Sequence, residues 1–219
     1  MTDETPTNHN TMNRRNCLKT GAFAGIALGF GITSSHAASG MLGKMGPDEW
    51  KKANEDAGAG VKALSAGSSK LSEDDGELLK EIAAAGMMQL KLSEVAASMG
   101  SSEDVKMIAK AEVEEQTIVG AKVKEIAAAG GVTLPEGPDE DTREAVEKLK
   151  GMKGLELDKH YLEVSGVDGH EKLEDIMEKV QSKAESGVFK KLAGLTLPII
   201  KTHLQVSKDE ASDMEKAGN

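Results

Sequence analysis

The chain has 219 residues, of which 38% are hydrophobic and 29% charged, and its formal net charge is −10. This composition indicates a soluble protein with one modest domain and flexible ends. An aromatic content of only 2% favours helices packed through aliphatic side chains over a sheet. The chain has no cluster of Lys and Arg, which argues against nucleic acid as a partner because phosphate binding needs clustered cations.

The first 37 residues have the pattern of an export signal. Residues 13–19, which include Arg14 and Arg15, resemble the twin-arginine signal. An apolar run over residues 20–32 and small residues at 35–37 follow it. The apolar run has about 13 residues, whereas a helix needs roughly 20 to span a bilayer. We therefore predict a signal peptide over 1–37 and an exported protein of the periplasm or outer cell envelope, with no transmembrane span in the mature chain.

Removal of this leader would change the chemistry that the chain can perform. Cys17 is the only cysteine, so the mature chain would have neither disulfides nor thiol chemistry. Its histidines would be His160, His170 and His203. The twin-arginine route resembles a pathway for proteins that are exported already folded, some with a cofactor inside, which raises the expectation of a bound metal.

Residues 38–70 are rich in Gly, Ser and Ala, and we expect a flexible segment that packs loosely or tethers the domain. Pro47 and the acids Asp48 and Glu49 suit the first turn of a short helix within it.

Two long amphipathic helices are predicted next. The first begins after its N-cap Ser72 and ends at Gly100. Its core face shows three- and four-residue spacing and consists of Leu79, Ile82, Ala83, Gly86, Gln89, Leu90, Ser93 and Ala96. The second covers about residues 103–129, and its inward stripe consists of Val105, Ile108, Ala109, Glu112, Gln116, Val119, Val123 and Ile126. Glu112 and Gln116 are the two polar members of this stripe.

The rest of the chain predicts a break, a short helix and two more long helices. These elements are the Gly- and Pro-containing break 130–138, a connecting helix over 139–150, a third long helix over about 156–184 and a fourth over about 187–214. In the third helix we expect Val164, Val167 and His170 to point inward, and in the fourth we expect a kink at Pro198. The fold class is therefore all-α. We predict an up-down four-helix bundle over 71–215, with a short crossover helix between helices two and three and a disordered tail at 216–219.

Counting residues from one end of this bundle places three polar side chains at the same depth. Gln116, His170 and His203 each lie about 16 or 17 residues from the turns at that end, which is roughly 24 Å at 1.5 Å per residue. Gly86 of the first helix reaches the same depth and leaves room there, and Gln89 lies about one turn closer to that end. Four carboxylates lie within a turn of this layer: Glu112, Glu115, Glu171 and Glu174. We expect Glu115 and Glu174 to point outward or sideways.

This layer suits either a metal site or a polar core. Two histidines and carboxylates on facing helices can hold a divalent metal such as Fe, Zn, Cu or Mn. The candidate metal ligands are Glu112, His170 and His203, and the surrounding polar layer consists of Gln116, Gln89 and Glu115. The alternative is a layer of His and Gln that hydrogen-bond to each other and set the register of the helices. The chain has no Glu-x-x-His motif, so the ligand pattern of a ferritin-type di-metal site is absent.

Several short motifs resemble one bacterial family. They are Leu197, Pro198, His203 and Leu204 in the last helix, Tyr161 and His170 in the third, Val105, Lys106 and Ala109 in the second, and Gly131, Leu134 and Pro135 after it. Over about residues 74–206 the chain resembles the family known as domain of unknown function 4142. Its members are often described as exported or outer-membrane proteins with a ferritin-like bundle.

Two departures from the family pattern bear on the site. Tyr161 and His170 are one residue further apart than the family usually has them, and we expect a bulge in the Gly-containing turn to absorb the extra residue. Where the family usually has Asp-His in helix two, this chain has Glu115 and Gln116. A three-histidine site implied by the resemblance would therefore lack one histidine here.

These observations predict an exported cell-envelope protein, more a binding protein than an enzyme, that holds a metal or small ligand in the His/Gln layer. One alternative is a ferritin-like metal-dependent oxidoreductase, which requires at least two carboxylates that face the same cavity. The other is an envelope protein-interaction or stress-related module, in which residues 38–70 recruit a partner protein.

Overall fold

A computed structural model describes residues 41–217 of the chain. Within that range the chain is helical apart from turns and one isolated bridge between Leu42 and Met45, and it contains no strand. The helices are α1 (Pro47–Ala63), α2 (Glu73–Met99), α3 (Glu103–Gly130), α4 (Glu140–Lys150), α5 (Leu155–Tyr161), α6 (His170–Lys183) and α7 (Gly187–Ala217), and a π-helical segment, Leu162–Gly169, joins α5 to α6. The all-α prediction is confirmed. The predicted leader 1–37, with Arg14 and Arg15, lies outside the described residues.

Two pairs of consecutive helices pack along each other. Residues 100–102 join α2 to α3, and residues 184–186 join α6 to α7. Connections this short make each pair an antiparallel hairpin. The predicted start and end of α2 are confirmed, because Ser72 Oγ accepts a hydrogen bond from the first turn of α2 and Gly100 follows its last residue.

Two buried aspartates anchor these turns. The Asp158 carboxylate accepts hydrogen bonds from the backbone amides of Ser101 and Ser102, both at 2.9 Å. The Asp75 carboxylate accepts from the backbone amides of residues 185 and 186, at 3.0 and 2.8 Å. Each aspartate therefore satisfies two amides of a turn, which fixes the ends of both hairpins.

The short helix predicted to begin at Pro47 is present as α1, and it is an ordered part of the fold, so residues 47–63 differ from the flexible segment that was predicted over 38–70. Trp50 and Val61 on α1 are 3% and 2% exposed, and α1 packs on α3 and α7. These two side chains are three turns apart and share one face of α1. The small residues that suggested flexibility instead allow close packing, since a Cβ on Gly60 would lie 3.0 Å from Leu195.

The third predicted helix contains the π-helical segment Leu162–Gly169, so the expected bulge before His170 is present. A π-turn contains one more residue than an α-turn, which rotates the inward face. Ser165 and Gly166 are consequently buried, whereas Val164 and Val167, which were expected to point inward, are only half-buried. The glycine at 166 is required by close packing, because a Cβ there would lie 2.9 Å from Ser207 on α7.

Helix α7 continues through Pro198 and ends at Ala217. The first two residues of the expected tail 216–219 are therefore helical, and the other two lie outside the described residues. No helix within residues 41–217 combines the length and the apolar character that crossing a bilayer requires.

The core consists of two apolar clusters with a polar layer between them. Along α3, residues 105–109 belong to one cluster and residues 119–127 to the other, and the polar positions 112–116 lie between them. Along α7, His203 lies in the same way between Ile200 of one cluster and Val206 of the other. The polar side chains therefore share one layer that has an apolar cluster on each side along the helices.

Candidate metal centre

Three elements bring Glu112, His170 and His203 together. Glu112 comes from the middle of α3, His170 is the first residue of α6 after the π-helical segment, and His203 comes from α7. One ligand atom from each residue lies within 4.8 Å of the others. All three side chains are at most 1% exposed. The structure therefore gathers the three predicted metal ligands at one buried point.

A single oxygen of Glu112 is shared by both histidines. Glu112 Oε2 lies 3.0 Å from His170 Nε2 and 2.8 Å from His203 Nδ1. The other oxygen, Oε1, accepts a hydrogen bond of 3.0 Å from Gln116 Nε2. Gln116 thus orients the carboxylate so that Oε2 points at the two rings.

The π-helical segment orients His170 through its backbone. His170 Nδ1 lies 2.9 Å from the Ser165 carbonyl oxygen and 3.1 Å from that of Gly166. Gln89 reinforces this contact, because its Nε2 donates to the same Ser165 carbonyl at 2.9 Å and its Oε1 accepts from Ser165 Oγ at 2.7 Å. These contacts hold a hydrogen on His170 Nδ1 and turn Nε2 toward Glu112.

Helix α1 orients His203. His203 Nε2 lies 2.8 Å from Asn54 Oδ1, and the Asn54 amide is itself oriented by a 2.9 Å hydrogen bond from Nδ2 to the Trp50 carbonyl oxygen. The Trp50 ring stacks on His203 with centroids 4.5 Å apart and an interplanar angle of 28°. His170 meets His203 edge-on, at 5.4 Å and 60°. These contacts hold His203 with Nδ1 toward Glu112.

The electrostatics of the three ligands are strongly coupled. Burial favours the neutral form of Glu112, but the charge of His170 and hydrogen bonds from both rings outweigh it and hold the Glu112 pKa below its usual range. Burial likewise opposes protonation of His170, but the charge of Glu112 outweighs it and raises the His170 pKa to about 9. The pKa of His203 is lowered by burial, which its contact with Glu112 offsets only in part.

The four ring nitrogens of the two histidines all have oxygen acceptors as their nearest partners. These four contacts involve three acceptors, because both inner nitrogens face Glu112 Oε2. A neutral imidazole has only one hydrogen, so two neutral rings cannot satisfy all three. A protonated His170 and a neutral His203 could, but the lone pair of His203 Nδ1 would then face Glu112 Oε2 at 2.8 Å. A divalent cation beside Glu112 Oε2 could accept the lone pairs of both inner nitrogens and leave the outer hydrogens on their present acceptors.

Glu115 faces the site, which corrects the expectation that it points outward or sideways. It is 9% exposed, and its Oε2 lies 3.4 Å from His203 Nδ1 without meeting hydrogen-bond geometry. Burial, and then the neighbouring charge of Glu112, raise the pKa of Glu115. A buried carboxyl oxygen without a hydrogen-bond partner is costly, and a cation beside it would remove that cost.

Of the other residues predicted in or near the layer, the two glutamines are buried beside the ligands and the two glutamates of α6 lie at the surface. Gln89 and Gln116 are buried as polar neighbours of His170 and Glu112, but Gln116 bonds neither histidine. Gly86 makes room for Gln116, since a Cβ at that position would lie 2.7 Å from Gln116 Oε1. Glu171 and Glu174 lie at the surface in salt bridges, to Lys208 at 2.8 Å and to Lys201 at 3.1 Å.

Sequence reasoning missed three residues of the site: Trp50, Asn54 and Ser165. Trp50 and Asn54 are four residues apart, so both can lie on the inner face of α1, and this spacing is visible in the sequence. Ser165 had no comparable signal, because only the π-helical segment turns it inward. The site is therefore completed by two side chains of α1 and by the π-helical segment, which turns Ser165 inward.

A cleft of about 690 Å³ lies between α1, α3 and α7 beside this cluster. Trp50, Asn54 and Glu115 all line the cleft and also contact His203. Glu112, His170 and His203 are not among its lining residues. Glu115 therefore lies between the buried ligands and the cleft.

The fold and the site define an all-helical protein with a buried Glu/His cluster that is compatible with metal binding. The chain belongs to the family described as domain of unknown function (DUF4142), whose sequence pattern matches residues 61–209 and so covers more than half of the chain. No curated protein and no solved structure matches the chain. The match begins within α1, so Trp50 and Asn54 precede it.

Proposed function

We propose that this protein binds one divalent transition-metal ion through Glu112 Oε2, His170 Nε2 and His203 Nδ1, with Glu115 as a further ligand. The observation that carries this proposal is the paired orientation of the two histidines. Each ring has its outer nitrogen on a fixed oxygen acceptor and its inner nitrogen on the same carboxylate oxygen. Metal-binding histidines usually have such an arrangement, because the outer hydrogen bond fixes the tautomer.

The ligand set favours Fe, Zn, Cu or Mn. Imidazole and carboxylate suit these ions, whereas sites selective for soft ions use thiolate or thioether ligands. Ligand atoms bound at about 2.1 Å lie roughly 3.0–3.4 Å apart around a metal. The carboxylate–imidazole contacts here are 2.8, 3.0 and 3.4 Å, and the ligand atoms of Glu112, His170 and His203 all lie within 4.8 Å of one another. Two neutral imidazoles and two carboxylates also balance the charge of a divalent ion, which lowers the cost of burying it.

We further propose that the helices form a ferritin-like, up-down four-helix bundle with α4 as the crossover helix. The two hairpins α2–α3 and α6–α7 and the family membership support this arrangement. In such bundles, metal sites lie between facing helices in the core. The polar layer between two apolar clusters has that position.

Metal analysis of protein purified from its native compartment tests the metal proposal, together with melting curves in Zn²⁺, Fe²⁺, Cu²⁺ and Mn²⁺. We expect one metal per chain. A metal at about 100 times its Kd should stabilise the fold by about 2.7 kcal/mol, or roughly 5–10 °C for a domain of this size. Glu112→Gln should lose both effects and the surface control Glu171→Gln should keep them. Metal-free protein that no added ion stabilises would refute the proposal.

We also propose that the protein is exported by the twin-arginine route to the periplasm or outer envelope. Arg14 and Arg15, the apolar run after them and the small residues at 35–37 support this proposal. Changing both arginines to lysine keeps the charge and removes the paired guanidinium groups. Cell fractionation should then show the unprocessed protein in the cytoplasm. Normal processing and export of that variant would contradict this route.

A second candidate function is a metal-dependent oxidoreductase. It requires at least two carboxylates facing one centre, and Glu112 and Glu115 both approach His203 Nδ1. The cleft beside Glu115 offers a place for a small substrate. Protein loaded with Fe²⁺ should then consume O₂ or hydrogen peroxide faster than the Glu112→Gln variant does. Equal rates for the two proteins would exclude this activity and leave metal binding as the function.

A further inference from the structure

Helix α1 contributes two side chains to the proposed metal site, and they act on His203 together. Asn54 Oδ1 lies 2.8 Å from His203 Nε2, and Trp50 stacks on the same ring at 4.5 Å. The hydrogen bond from Asn54 Nδ2 to the Trp50 carbonyl oxygen couples the two residues across one helical turn. The Asn54 amide therefore cannot rotate to offer nitrogen to His203 without losing this bond.

The position of Asn54 decides which nitrogen of His203 is available to a metal. With the hydrogen on Nε2 and bonded to Asn54, the lone pair of a neutral ring lies on Nδ1, which is the nitrogen that faces Glu112. Without Asn54, a hydrogen on Nδ1 and bonded to Glu112 becomes the better arrangement. That tautomer has no lone pair directed at the site.

Trp50 has a different effect, since it covers one face of the ring. Trp50 is 3% exposed and packs in the apolar cluster on one side of the polar layer. It also lines the cleft that reaches Glu115, so it lies between the cleft and His203. Water or a chelator that approaches the covered face of the His203 ring from the cleft must displace α1 at this position.

We infer that α1, which begins before the region shared with the family, is the closing helix of the metal site: Asn54 positions His203 for metal binding and Trp50 slows release of the ion. This inference rests on the proposed metal site. It assigns a role to residues 47–60, which the family match does not cover. Both are positioning residues, because each acts on the metal through His203.

Titration of the full chain with Co²⁺, followed by its visible absorption, tests the role of Asn54. Asn54→Leu keeps the volume and removes the acceptor, and we expect a 10–100-fold weaker Kd, as is usual when a partner of a metal-binding histidine is lost. Asn54→Asp keeps an oxygen acceptor and should bind Co²⁺ at least as tightly as wild type. The control Lys52→Gln lies on the exposed face of α1 and should not change the Kd.

Release of Co²⁺ to excess EDTA tests the role of Trp50. Trp50→Leu should release the ion about tenfold faster than wild type, while Lys52→Gln should release it at the wild-type rate. The absorption spectrum of the Co²⁺-loaded Trp50→Leu protein should stay the same, because all ligands remain. An unchanged release rate would overturn the closing role of α1.

The outcomes separate this inference from the proposal beneath it. A wild-type protein that binds no Co²⁺ overturns both. A wild-type protein that binds Co²⁺, with an unchanged Kd in Asn54→Leu, overturns the inference alone. If Asn54→Leu does not fold, the Co²⁺ affinity of Asn54→Asp tests the inference instead. A Kd equal to or lower than that of wild type supports the positioning role of Asn54, and a higher Kd overturns it.

Discussion

Glu112 and Glu115 lie one helical turn apart on α3, and the Oε2 atoms of both approach His203 Nδ1, at 2.8 and 3.4 Å. Their surroundings are unequal. Glu112 contacts both histidines and accepts from Gln116, whereas Glu115 Oε2 has no hydrogen-bond partner. The two carboxylates should therefore differ in what they contribute to the metal-free fold.

The first prediction compares isosteric variants of this pair. Glu112→Gln removes the charge that faces His170 and should lower the free energy of unfolding of the metal-free protein by about 3 kcal/mol. Glu115→Gln should change it by less than about 1 kcal/mol near pH 6, because burial and Glu112 raise the Glu115 pKa and favour its neutral form. Urea unfolding in EDTA measures both values. Equal losses would show that the two carboxylates are equivalent in the absence of metal.

The second prediction concerns the pH dependence of stability without metal. The folded protein holds the His170 pKa at about 9, above its ordinary value of 6.5. A raised histidine pKa stabilises the fold fully below about pH 6.5, and this contribution is lost as the pH rises through 9. The difference in unfolding free energy between wild type and His170→Gln should therefore shrink over this range, by roughly 1–3 kcal/mol. Urea unfolding in EDTA at pH 6, 7.5 and 9.5 measures it, and a difference that grows with pH would contradict the raised pKa.

The contribution of His203 to stability should depend on pH in the opposite direction from that of His170. Its pKa is lowered by burial, so the folded protein keeps the ring neutral while the unfolded chain takes up a proton below about pH 6.5. The stability that wild type has relative to His203→Gln should consequently decrease on acidification below that pH. The same titration with His203→Gln distinguishes the two histidines.

The third prediction concerns the π-helical segment that orients His170. A Cβ on Gly169 would lie 2.5 Å from Gln89 Oε1 and within 2.8 Å of two further atoms of that amide. Gly169→Ala should therefore displace Gln89 and cost about 1–3 kcal/mol. The matched control is Gly120→Ala within α3, where no atom lies within 4 Å of the added Cβ. That variant should be more stable than wild type by about 0.5–1 kcal/mol, and thermal melting of both compares them directly.

The fourth prediction concerns Gln116, which orients Glu112 from the side opposite the histidines. Gln116→Leu leaves Glu112 Oε1 without a donor and should destabilise the metal-free fold by about 1–3 kcal/mol. It should also weaken metal binding about tenfold, less than loss of a ligand does. Gln116→Glu places a second carboxylate against Glu112 and should be the less stable of the two variants. A Gln116→Leu protein with wild-type stability and affinity would show that this hydrogen bond has no role.

Local sequence patterns predicted much of the secondary structure and the common depth of the polar side chains at the site. The eight residues of the predicted α3 stripe, from Val105 to Ile126, are all buried. Counting along straight helices placed Gln116, His170 and His203 at one depth, and the structure has them in one polar layer. This worked because helix periodicity and rise are local properties that hold over many turns.

The orientation of Glu115 could not be predicted from helix periodicity. It follows Glu112 by three residues, at the edge of the inward stripe, where a side chain can turn to solvent or to the core. Only the packing of α1 and α7 against α3 decides that Glu115 faces His203. The prediction that Val164 and Val167 point inward was wrong for a different reason. It assumed the period of an α-helix, and the π-helical segment has a different period.

The sequence by itself determined an all-α chain with Gln116, His170 and His203 at matching depths on separate helices and with Glu112 within a turn of them. The tertiary structure decided which atoms meet: one oxygen of Glu112 between two rings, the Ser165 carbonyl behind His170, and Asn54 behind His203. The last contact joins residues 149 positions apart, and α1 makes it from a stretch whose Gly and Ala content indicated flexibility. Local propensity cannot specify such contacts, because their energy comes from docking one helix face against another and not from the sequence around either residue.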